Sequence, residues 1–126
     1  MTLLKQQRKP TNRLVAQFLK PEIIQRLSER TSQPGIQGRY DAFYLLKDSG
    51  NTDAIDFVGL NIWDLRELKK CQLKKVSVLE LKRLKDKRAL PALKELLNVK
   101  FLDRLKYSCL RKDVQQAIIT IEEKKV

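Results

Sequence analysis

Leu73-Lys74-Lys75-Val76-Ser77-Val78-Leu79-Glu80-Leu81-Lys82-Arg83-Leu84 and Leu110-Arg111-Lys112-Asp113-Val114-Gln115-Gln116-Ala117-Ile118-Ile119-Thr120-Ile121 decide the fold between them. Superposed at an offset of 37, Leu73, Leu81 and Leu84 meet Leu110, Ile118 and Ile121, and Ser77 meets Val114. At about 100° per residue these positions share one side of a helix, so both stretches read as amphipathic helices with matching buried faces. Repetition at a period of roughly 20–50 residues is the mark of a stacked-repeat fold.

Outward from this pair, a second kind of helix precedes each. Asp53-Ala54-Ile55-Asp56-Phe57-Val58 aligns with Arg88-Ala89-Leu90-Pro91-Ala92-Leu93 at an offset of 35. Asp86 is placed to cap the later helix, and Pro91 falls in its first turn, where the missing N–H costs little. Pro21 to Leu27 reads as an earlier outer helix, and Ala42, Phe43 and Leu46 reproduce Ala117, Ile118 and Ile121. No stretch sustains the period-2 alternation of strands between hairpin turns. The expected class is all-α: a short stack of about two and a half to three helix pairs over 13–126, behind a mobile basic arm at 1–12.

The run Lys85-Asp86-Lys87-Arg88-Ala89-Leu90-Pro91-Ala92-Leu93-Lys94-Glu95-Leu96-Leu97 resembles the first helix of a bacterial-type HEAT repeat, and Leu110 to Ile121 fits the second helix through Val114, Ala117, Ile118 and Ile121. The resemblance extends over 53–123 and implies a HEAT-like α-solenoid. The order of these segments, with Trp63-Asp64-Leu65, is also similar to HEAT-like modules appended to bacterial serine/threonine protein kinases. The kinase's own Gly-rich loop and His-Arg-Asp triplet are absent from this chain, so that likeness implies a non-catalytic appendage. Two departures stand out. Glu80 occupies the position of Ala117, which calls for loose packing or a nearby Lys or Arg partner, and the join from Asn98 to Tyr107 is longer than a tight helical hairpin needs.

Lys and Arg number 27 against 15 Asp and Glu, a net charge of +12, and the 126-residue chain has no His. Imidazole catalysis and His-ligated metal sites are thereby excluded, and no cofactor or metal is expected. The charge is laid out in blocks: residues 1–39 carry +6, residues 40–67 carry −4 and residues 68–126 carry +10. Such an excess favours polyanions, acidic proteins or anionic membrane surfaces.

On the helical wheel Lys74, Lys75, Lys82 and Lys85 fall within about 100° of one another, opposite Leu73 and Leu84. This stripe reads first as an ordinary solvated face and second as an anion- or partner-binding surface, to which Arg8, Lys9 and Arg13 of the arm would add. Only eight residues are Phe, Trp or Tyr, and none interleaves the stripe, so recognition of single strands by base stacking is unsupported.

Trp63 and Asp64 invite comparison with HEAT-like alkylpurine DNA glycosylases, but the chain is too short for their concave surface. Here Trp63 is expected to pack and Asp64 to be solvated, and no catalytic residue is assigned. Cys71 and Cys109, each just before an inner helix, read as quietly packed thiols in a reduced cytoplasm. A functional pair would need the cations that Lys69, Lys70 and Arg111 supply. Asp41, Asp48, Asp53, Asp56, Asp64 and Glu67 read as caps and solvated groups, or as a surface complementary to a basic partner. No apolar run reaches the roughly 18 residues of a membrane span, and no signal-peptide core is evident.

The expected function is therefore a non-catalytic interaction or regulatory module whose partner is another protein. The alternative is nonspecific nucleic-acid binding through the basic stripe. Self-association is a further possibility, driven by the charge blocks and by apolar residues such as Ile119 and Phe18.

Overall fold

The structure is a computed structural model that describes residues 19–98 and 108–123. The arm at 1–12, with Arg8 and Lys9, together with Arg13, Phe18 and most of the join up to Tyr107, lies outside the described residues. Among those described there are six α-helices and no strand, so the all-α class holds. The helices are α1 (Pro21–Arg30), α2 (Ile36–Asp48), α3 (Phe57–Glu67), α4 (Cys71–Leu84), α5 (Leu90–Leu97) and α6 (Arg111–Glu122). Short 3-10 turns at Thr52–Ala54, Lys87–Ala89 and Ser108–Leu110 precede α3, α5 and α6.

Local chemistry starts and stops these helices. Pro21 opens α1 and Pro91 lies in the first turn of α5, where no ladder hydrogen bond is forfeited. The Asp86 carboxylate accepts from the Arg88 amide at 2.9 Å, capping the turn that leads into α5 as the sequence predicts. Asp56 does the same for α3, accepting from the Gly59 amide at 3.0 Å. Gly35 enters α2 with φ of 99°, a conformation that side chains with a Cβ rarely adopt.

Two compact units divide the chain after Leu60. In the first, α1 packs on α2 and the Thr52–Ala54 turn touches both. Its core holds Ala42, Leu46, Ile55, Val58 and Leu60. Thr31 is fully buried at the exit of α1, where its hydroxyl donates to the Ser28 carbonyl at 2.6 Å and accepts from the Asp56 amide at 3.2 Å. That one side chain ties the end of α1 to the start of α3. Phe43 and Phe57 meet edge to face at 6.3 Å.

In the second unit α6 is central, with both α4 and α5 packed against it. Leu65, Val78, Leu81, Ala89, Ala92, Leu93, Leu110, Val114, Ala117, Ile118 and Ile121 form its core. Ion pairs between its helices brace it: Arg66 to Glu95 at 3.2 Å, Lys75 to Asp113 at 3.7 Å and Lys94 to Glu122 at 3.1 Å.

The buried faces repeat, but not in the register that apolar periodicity suggests. In α4 the buried residues are Lys74, Ser77, Val78 and Leu81; in α6 they are Val114, Ala117, Ile118 and Ile121. The matching shift is 40 residues rather than 37, and it pairs Ala117 with Ser77 instead of Glu80. Between α2 and α4 the shift is 35, carrying Arg39, Ala42 and Leu46 onto Lys74, Ser77 and Leu81. One register position is thus a buried Arg39, then a buried Lys74, then Val114. Each cation reaches back to a carbonyl near the exit of the preceding outer helix: Arg39 donates to Gln33 at 3.1 Å, and Lys74 to Leu65. A cation at a helix C-terminus satisfies orphan carbonyls and sits at the negative end of the dipole.

Candidate functional site

The four lysines of the expected basic stripe do not form one surface. Lys74 is a correction: it is 3% exposed, and its ammonium donates to the Leu65 carbonyl in the last turn of α3. Lys75 is exposed and engages Asp113. Lys82 is half-buried on the flank of α4, while Lys85 is exposed in the left-handed residue that ends the helix, with φ of 53°. Turning the helix to bury Lys74 rotates the opposite side outward. Leu73, expected inside, is 46% exposed, and it is joined by Val76 at 64% and Leu79 at 45%.

Leu73, Val76 and Leu79 make a row about 9 Å long on the outer side of α4, at the usual helical rise. Exposed Lys75 and Arg83 stand beside it, and the preceding turn adds exposed Lys69 and Lys70. Arg83 turns back on Glu80, its Nε donating to one carboxylate oxygen at 3.0 Å. That hydrogen bond holds the Glu80 carboxyl below its usual range, with the charge of Arg83 adding to it and partial burial opposing it. Of the two outcomes expected for Glu80, loose packing or a basic partner, the partner is present, as Arg83.

The sequence pattern conceals the apolar row because α4 carries apolar residues on both faces, so periodicity alone does not set its phase. The signal that finds it is Lys74, whose position matches the buried Arg39.

The two cysteines also depart from expectation. Cys71, the first residue of α4, and Cys109, in the turn entering α6, are joined in a disulfide with Cα atoms 6.5 Å apart. They are not packed thiols: Cys109 is exposed and Cys71 only half-buried. Side-by-side packing of α4 and α6 brings the two helix starts together, which a sequence separation of 38 does not reveal.

Trp63 is half-buried with the Arg66 guanidinium 5.3 Å from its ring centre, and Asp64 is 4% exposed rather than solvated. Within the acidic block Asp56 caps α3, and Asp41 accepts from Gln37 at 3.0 Å. Among the described residues no group of His, Cys, Asp and Glu is arranged to hold a metal ion. None of the described helices is long and apolar enough to cross a membrane. No family model, curated protein or solved structure matches the chain.

What an exposed apolar row bordered by cations can do is bury area against a partner whose own apolar stripe is bordered by carboxylates.

Proposed function

We propose that the chain is a non-catalytic helical-repeat interaction module of the HEAT-like kind, and that α4 docks an acidic amphipathic helix of a protein partner. The observation carrying this reading is the row Leu73, Val76 and Leu79, exposed on a folded helix and bordered by Lys69, Lys70, Lys75 and Arg83. Helix-in-groove recognition uses anchors at such helical spacing, and the flanking cations select carboxylates. The recurrence of one buried register in α2, α4 and α6 supports the repeat reading.

Nucleic-acid binding through the four-lysine stripe loses ground, since Lys74 faces inward. A titration with three probes separates the readings: a synthetic amphipathic helix with Glu flanks, the same apolar pattern with Lys flanks, and duplex DNA. The acidic helix binds in the micromolar range. Val76→Lys with Leu79→Lys abolishes that binding while leaving the melting temperature unchanged, because neither side chain is in the core. Binding of duplex DNA alone, indifferent to those two substitutions, overturns the reading in favour of phosphate recognition.

A further inference from the structure

The geometry points to a modification site: the Cys71–Cys109 bond exchanges with an anionic low-molecular-weight thiol, Cys109 being the sulfur attacked and Cys71 the sulfur that leaves. This goes beyond the docking surface and does not depend on it. Three observations carry it.

The bond lies at the surface. Cys109 is exposed and Cys71 half-buried, whereas α4 and α6 pack together and each has its own buried apolar residues, Val78 and Leu81 on α4 and Val114, Ala117 and Ile118 on α6. Opening the bond therefore leaves the helix packing in place, and the pair can be cycled without unfolding.

The two sulfurs are unequal. Cys71 is the first residue of a 14-residue helix whose N-cap, Lys70, makes no side-chain capping bond. A thiolate there meets the uncapped amides and the positive end of the helix dipole. Cys109 stands one residue before Leu110, the N-cap of α6, in the short turn that leads into that helix, and so lies outside its first turn. The better leaving group is the sulfur with the lower thiol pKa, and the accessible sulfur is the one struck.

The surroundings are cationic. Lys69, Lys70, Arg111 and Lys112 flank the cysteines and are all exposed, while the nearby Asp113 engages Lys75. Such a setting draws an anionic thiol such as glutathione and stabilises thiolates.

In the exchange, the thiolate of a first glutathione attacks Sγ of Cys109. A new S–S bond forms there as the Cys71–Cys109 bond breaks, and the electron pair stays on Sγ of Cys71. A second glutathione thiolate then attacks the glutathione sulfur of the adduct and releases the Cys109 thiolate with oxidised glutathione. The protein pair is reduced by two electrons and two glutathiones are oxidised. The two protons lost by glutathione are available to the cysteines.

The test uses the full chain, oxidised and then held in graded glutathione buffers, with acid quenching and peptide mass spectrometry. Trypsin separates the two sites, leaving Cys71 on peptide 71–74 and Cys109 on peptide 107–111. The expected result is a single adduct on Cys109 in about tenfold or greater excess over Cys71. Helicity by circular dichroism stays unchanged, and oxidised glutathione closes the bond again. An adduct chiefly on Cys71, equal adducts, a bond that opens only in denaturant, or a bond that oxidised glutathione does not re-form each overturns the proposal. The Cys109→Ser variant isolates the leaving group: alkylation of Cys71 with iodoacetamide titrates below the ordinary value of about 8.5, and Lys69→Gln with Lys70→Gln moves it upward. A Cys71 that titrates at or above the ordinary value refutes the assignment of leaving group.

Discussion

Lys74 and Lys75 are neighbours in the chain with opposite surroundings: one ammonium is bonded to a carbonyl in the core, the other lies at the surface beside Asp113. Removing the first leaves the Leu65 carbonyl without this donor, so Lys74→Ala lowers stability by about 1–3 kcal/mol. Lys75→Ala removes only an exposed pair and costs under about 0.5 kcal/mol. Chemical denaturation of the two variants checks the contrast, and equal effects contradict the burial of Lys74. At Ala117, fully buried on α6 beside the buried Val114, Ile118 and Ile121 of the same face, a carboxylate would be carried into the apolar core. Ala117→Glu therefore destabilises by several kcal/mol, on the order of 3–5. A melt that matches the parent protein shows the assigned core face to be wrong.

Between elements, one close approach falls where α3 begins. A Cβ built on Gly59 lies 2.3 Å from the Ser32 side chain and 3.1 Å from the Ser32 backbone, so the loop leaving α1 rests directly on this glycine. Gly59→Ala gains helix propensity but forces that loop away, and overpacking of this kind costs about 1–3 kcal/mol. A thermal melt decides the sign: stabilisation means that the loop yields freely. The elements themselves were legible in the sequence wherever a local rule acts alone. Asp86 and Pro91 mark the approach to α5, and the spacing of Val114, Ala117, Ile118 and Ile121 marks the buried face of α6. The phase of α4 was not legible, because Leu73, Val76 and Leu79 compete with Val78 and Leu81 for the core and a lysine wins a core position by reaching a helix-end carbonyl. Nor was the cysteine bond, which exists only through the packing of two helix starts. The candidate surface followed the same error: a stripe drawn on the wrong phase placed lysines outward and leucines inward.

At the scale of the molecule, the disulfide belongs wholly to the unit beginning at Asn61. Closing a loop of separation 38 stabilises that unit by about 3–4 kcal/mol on the chain-entropy account. Reduction should therefore speed amide hydrogen exchange in α4 and α6 and leave α1 and α2 unchanged. Exchange rising equally in both units would show that they unfold as one. The adjacent lysines supply a second gauge of the same event. An amine-acylating reagent added to the native protein modifies Lys75 at once, whereas Lys74 must wait until α4 comes away from the end of α3. The ratio of the two acylations, read from one stretch of chain, is a built-in stopwatch for that opening. Run with the sulfurs joined and then separated, it times how long the helix stays shut in each redox state.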